Sequence, residues 1–142
     1  MMNKTFLDQL EYKVTGACIE VNKILGPGLL ESVYKKCLMW ELQLQDINFT
    51  AEHPIILSYK DVLLDTTLKV DLVIENCLVL ELKAVESILP IHEAQILTYM
   101  KLLKIPKGLL INFNSTNIVH NGKKSFVNEF MYGINNEYES PT

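Results

Sequence analysis

The stretch "VDLVIENCLVLELKA", residues 70–84, reads as two strands joined by a short turn at Glu75-Asn76. Val70, Leu72, Val73, Ile74, Leu78, Val79, Leu80 and Leu82 are what strands covered on both faces require. The same stretch carries Asp71, Glu81 and Lys83. Ionised groups in a mostly apolar sheet are costly to desolvate unless they are paired, bound to a metal or placed at an edge. If the hairpin is symmetric about Asn76, Asp71 faces Glu81 and Lys69 faces Lys83, and Glu81 and Lys83, two apart, leave the same face. That symmetry demands an odd-numbered loop or a bulge. A strict two-residue turn would set Asp71 opposite Leu80 and send the acids to opposite faces. Two readings stay open on spacing alone. Either two converging carboxylates share a divalent cation, which relieves their repulsion, or Asp71 and Glu81 form a salt-bridge cluster with Lys69 and Lys83 at a sheet end.

Outward from this hairpin the chain alternates between two periods. Leu7, Leu10, Val14, Ala17, Val21 and Ile24 follow the three-four spacing of an amphipathic helix, which "GPG" at Gly26–Gly28 ends. A second helix is expected from about Leu29, with Leu30, Val33, Cys37, Trp40 (or Glu41) and Leu44 near one stripe. "INFTAEHPIILSY" and "VLLD" flank a hairpin tip at Lys60-Asp61. "PIHEAQILTYMKLLK" reads as a helix with Pro90 in its first turn, "GLLINFN" from Gly108 as a buried strand, and "SFVNEF" as a last strand or short helix. The order α-α-β-β-β-β-α-β predicts an α/β sheet, antiparallel in its hairpins, with the strand after the long helix joining in parallel through a crossover. Residues 1–132 are expected to form one domain, with the helix of residues 1–25 packed on it and residues 133–142 a frayed tail.

Composition narrows the function classes. With 142 residues and a net charge of −4 the chain lacks the overall basic character of an autonomous nucleic-acid binder. All 13 basic residues are lysine, so no guanidinium fork is available for phosphate. Lys35, Lys36, Lys101, Lys104 and Lys107 offer a modest basic rim, though helix-end lysines are by default solvated. Cys18, Cys37 and Cys77 are odd in number and widely spaced, which argues for buried thiols over a disulfide framework or zinc site. No segment approaches the about 20 apolar residues of a membrane span, and "MMNKTFLDQLEYK" has no signal-type apolar core. A cytoplasmic, membrane-free protein is the expectation.

Polar residues also cluster on the helices. In "GLLESVY", Glu31 and Tyr34 share a helix face, and in "HEAQILTY", His92, Gln95 and Tyr99 do. Each is compatible with an ordinary helix–sheet boundary. Taken together, "GPGLLESVYKKCLMWEL", "VDLVIENCLVLELKAVE", "IHEAQILTYMKLL" and "GLLINFN" resemble, in order, the blocks of the GxxExxY family, a branch of the PD-(D/E)XK nuclease superfamily.

The resemblance implies a restriction-endonuclease-like core, αβββαβ, with a central mixed β-sheet flanked by helices. It implies that Asp71 and Glu81 bind the metal and that Lys83 is the catalytic lysine. Glu31 corresponds to the acid on the first core helix, expected to join the metal as an outer ligand, and Gln95 and Tyr99 to the functional face of the helix after the lysine strand. Lys69 departs from the pattern, standing where members often carry arginine. The expected activity is Mg²⁺-dependent phosphodiester hydrolysis of DNA or RNA, with Mn²⁺ able to substitute. A homodimer or protein partner would add specificity. The competing expectation is a catalytically silent nuclease-fold module that binds or regulates protein partners. A hydrolase of small phosphorylated metabolites is disfavoured because no Gly-rich phosphate loop is present.

Overall fold

The computed structural model describes residues 2–134. Helix α1 (Lys4–Leu25) starts at Asn3, whose side chain accepts the Phe6 N–H at 2.7 Å, and stops at Gly26, where φ is 69°. Helix α2 (Glu31–Leu44) follows at once. Strand β1 (Phe49–Pro54) precedes a short ribbon of β2 (Leu57–Tyr59) and β3 (Val62–Leu64), closed at Lys60-Asp61, both with positive φ. Then come β4 (Lys69–Ile74), β5 (Leu78–Lys83), α3 (Pro90–Leu103), β6 (Lys107–Asn112) and β7 (Lys123–Val127), with a 3₁₀ turn over Glu129–Gly133. "SFVNEF" is thus both a strand end and a short helix start. The expected tail lies, from residue 135 onward, outside the described residues.

The five-stranded sheet runs β1-β4-β5-β6-β7. All neighbours are antiparallel except β5 and β6, which the α3 crossover makes parallel. The sheet is mixed and flanked by helices, and α2-β1-β4-β5-α3-β6 gives the αβββαβ order with the β2–β3 ribbon inserted. That ribbon corrects the single long strand expected over residues 47–59. Pro54, with no N–H to donate, closes β1, and the chain leaves the sheet edge soon after.

Side-chain alternation divides the core in two. Leu72, Ile74, Leu78, Leu80, Leu82, Leu109 and Ile111 pack beneath α1 and α2, while Val73, Val79 and Leu110 pack with Ile96, Met100 and Ile105 on the α3 side. Gly108 lets α3 press onto β6, because a Cβ there would stand 2.6 Å from the Met100 sulfur. On α1, the thiol of Cys18 is buried and Ile24, expected inside, is exposed. Burial pushes the Cys18 thiol up to about 12 and Cys77 up to about 11, consistent with small apolar core residues. Lys107, assigned to a basic rim, is instead buried at the start of β6. It meets Glu11 at 2.7 Å, and Lys123 meets the same carboxylate at 2.7 Å, tying α1 to the sheet. Burial alone would raise the Glu11 pKa, but the two ammonium groups hold it below its ordinary value.

The buried stripe of α2 also differs from expectation. Tyr34, Leu38 and Leu42 face the core, whereas Leu30, Val33, Trp40 and Leu44 are exposed. Tyr34 decides the helix rotation. Its hydroxyl donates to the Gly26 carbonyl at 2.6 Å and accepts the Leu29 N–H at 3.1 Å, and its ring stacks on Phe113 with centroids 4.7 Å apart. Tyr34→Phe strands two backbone groups and should cost about 1–3 kcal/mol. Leu44→Ala, on the exposed stripe, should change stability by less than about 0.5 kcal/mol in the same urea titration.

Candidate functional site

The β4–β5 hairpin is built as its symmetry about Asn76 demands. Ile74 pairs with Leu78, Val73 with Val79 and Leu72 with Leu80. The loop has the odd length required: Glu75 and Asn76 take positive φ, and the Cys77 N–H closes onto the Ile74 carbonyl at 3.0 Å. Beyond Leu72 and Leu80 the backbone ladder stops and side chains replace it. The Asp71 N–H donates to Glu81 Oε1 at 2.7 Å, and the Leu82 N–H donates to Asp71 Oδ2 at 2.8 Å. Two carboxylates therefore interleave with the main chain of the strand opposite. The alternation of β4 breaks at the same point: Leu72 packs under α1 and α2, but Val70 packs on the α3 side.

Charges around the pair come from both helices. Glu81 is 6% exposed, and burial, followed by the charge of Asp71, pushes its carboxyl up to about 7. Glu31, at the first turn of α2, is raised by burial and then by Asp71, with Lys83 and Lys35 opposing. Tyr99, on α3, is raised by burial and then by the charge of Glu81, and shares a hydrogen bond with the Gln95 side chain. Asp71, Glu81, Lys83, Glu31 and Tyr99 thus stand within electrostatic reach of one another, and Gln95 is tied to them through Tyr99. His92 serves the helix instead, its Nδ1 accepting the Leu89 N–H at 3.0 Å to cap α3.

The cross-strand salt-bridge reading fails. Among the described residues neither Lys69 nor Lys83 forms an ion pair with Asp71 or Glu81. The lysine that does is Lys35, placed on a solvated face by the sequence. Its Nζ lies 3.4 Å from Asp71 Oδ1 and also pairs with Glu52. Glu52, which no sequence signal singled out, sits in β1 between the Ala51–Leu72 and His53–Val70 pairs, across from Asp71. Its only trace in the sequence is an acid at the exposed phase of an edge strand, which by itself points to nothing.

The donors fit a hard divalent cation. Asp71 and Glu81 each hold one oxygen on a main-chain N–H and have a second for a ligand, in a buried place with excess negative charge. Among the described residues no group of three His, Cys, Asp or Glu side chains is placed to hold an ion together, so the two hairpin acids are the paired donors, with Glu31 standing beside them on α2.

A family model of the PD-(D/E)XK nuclease superfamily matches residues 8–125. The match spans α1 through most of β7 and includes the split hairpin with both helices that flank it. The chain belongs to that superfamily, whose restriction-endonuclease-like fold it adopts and whose members generally work with divalent metal ions on nucleic acids. Neither the curated proteins nor the solved structures gave a match. Among the described residues no helix is long and apolar enough to cross a membrane.

The raised pKa of Glu81 makes stability depend on pH. Its folded value of about 7 lies above the ordinary 4.5, so the folded state holds this proton better than the unfolded chain. That contribution, about 3 kcal/mol at most, is complete below pH 4.5 and is lost as pH rises through 7. Metal-free protein should therefore lose stability across this window in urea titrations at successive pH values. Glu81→Gln should flatten the slope.

Proposed function

We propose that this protein is a Mg²⁺-dependent nuclease of the GxxExxY branch, with Mn²⁺ able to substitute, cleaving phosphodiester bonds of DNA or RNA in the cytoplasm. The observation that carries the reading is the opened hairpin, where Asp71 and Glu81 accept main-chain N–H groups in place of ladder bonds, each with a second carboxylate oxygen left over, and feel each other's charge and that of Lys83. Backbone donors that fix both carboxylates support this reading, because a cation site needs its ligands held in place before the ion arrives. Asp71 and Glu81 would hold the ion, which when bound polarises the phosphodiester and lowers the pKa of a coordinated water.

The remaining roles fall to the chain's own side chains. Lys83, two residues from Glu81 on the same strand, keeps an ammonium beside the acids, where it orients the attacking water and offsets charge developing on phosphate. Glu31 orients water from the α2 side. Tyr99 and Gln95 form the α3 wall and hold the substrate against the acids. Lys36, Lys101 and Lys104 remain exposed for phosphate contacts. A second copy or a protein partner would add selectivity.

The test is cleavage of a panel of single- and double-stranded DNA and RNA with Mg²⁺ or Mn²⁺. Wild type should cut at least one member and lose activity in chelator. Lys83→Ala should lower the rate by about 100-fold or more while remaining folded. Cation binding by wild type without cleavage of any substrate would instead favour the silent binding module.

A further inference from the structure

We propose that Lys35, held by Glu52, is a positioning residue that sets how tightly the Asp71/Glu81 pair takes a divalent cation. The proposal rests on the metal-site reading above. Lys35 projects from α2 beside the buried Tyr34, and its side chain is 16% exposed, so its ammonium is drawn inward, away from bulk water. Asp71 Oδ2 is already taken by the Leu82 N–H. Oδ1 is therefore the oxygen that a cation would use, and it is the one Lys35 approaches, at 3.4 Å. Among the described residues no other lysine is ion-paired to either acid of the hairpin. Lys35 is thus a resident positive charge next to the candidate ligand oxygen.

Glu52 is what restrains it. Its carboxylate makes the closer of the two ion pairs and is more than half exposed, so it holds the ammonium toward the rim. The backbone at Glu52 has φ of 51°, a left-handed conformation for a non-glycine residue inside a strand. Such strain persists where the surrounding structure imposes it and gathers at functional positions. Here it falls at the residue opposite Asp71. Lys35 consequently has two anionic partners, one on the candidate cation site and one outside it. A charge that near a divalent ion opposes its binding, and even at the dielectric of water the effect is on the order of tenfold in Kd.

The two residues should act with opposite signs. Lys35→Met should tighten Mn²⁺ binding about tenfold in calorimetric titration of the full chain at neutral pH. Glu52→Gln, which removes a nearby negative charge and lets the ammonium close on Asp71, should weaken binding several-fold. Because Glu52 acts chiefly through the ammonium, the double variant should bind close to Lys35→Met, on the tight side of wild type, and Lys35→Arg, which keeps the charge, should stay within about threefold of wild type. A merely structural role would give losses of the same sign in both single variants. Circular dichroism confirms that each variant is folded; should Lys35→Met fail to fold, Glu52→Gln and Lys35→Arg still decide the matter. Wild type that binds Mn²⁺ with Kd unmoved in Lys35→Met or in Glu52→Gln overturns the role of Lys35 alone. Absence of Mn²⁺ binding in wild type and in every variant overturns the metal site itself, and this inference with it.

Discussion

Where the β4–β5 ladder opens, two main-chain N–H groups that a regular sheet would give to carbonyls are given to carboxylates. The rest of the site depends on that exchange. A buried N–H left without an acceptor costs about as much as a lost hydrogen bond, so the strands can part at Leu72 and Leu80 only because Asp71 and Glu81 are there to receive the donors. A charged acceptor also makes the stronger bond. The acids are therefore built into the sheet, each carboxylate held by a main-chain donor of the strand opposite. That is the preorganisation the proposed cation site would need.

Burying the two acids together has an electrostatic consequence that the surroundings divide between them. Glu81 lies deeper and is pushed up to about 7, by burial first and by its neighbour second. Asp71 sits closer to the edge and has Lys35 at hand. The pair is thus asymmetric: one carboxylate titrates near neutrality while the other is shared between a backbone N–H and an ammonium. Helix placement maintains this asymmetry. Tyr34 locks the rotation of α2, one residue before Lys35, and Gly108 brings α3 close enough for Tyr99 to lie near Glu81. Small and aromatic residues far from the acids control which charges reach them.

Much of this is legible in the chain. Period-two alternation in "VDLVIENCLVLELKA" places Asp71 opposite Glu81 once the loop is odd, and the structure makes it odd by leaving Cys77 as a third unpaired residue after Glu75 and Asn76, between the paired Ile74 and Leu78. The helix punctuation of "GPG" and Pro90 is likewise local chemistry, which is why α1 ends and α3 begins where expected. The α2 stripe departs from expectation for a different reason. Leu30, Val33, Trp40 and Leu44 are as apolar as Leu38 and Leu42, so hydropathy does not distinguish the two faces. The hydroxyl of Tyr34 does, through carbonyl and N–H partners that exist only after Gly26–Leu29 has turned.

By itself, then, the sequence determined where the helices start and stop and that residues 70–84 form a strand pair about a turn, because these follow from periodicity or turn chemistry within a few residues, whereas the acids and the lysine were singled out by the family resemblance. Tertiary structure alone decided which lysines are free and which are committed. Lys107 is buried against Glu11, and Lys35 is drawn between Glu52 and Asp71, residues 17 and 36 positions away along the chain. Charge pairing over such separations depends on how helix and sheet pack, and no local pattern encodes it.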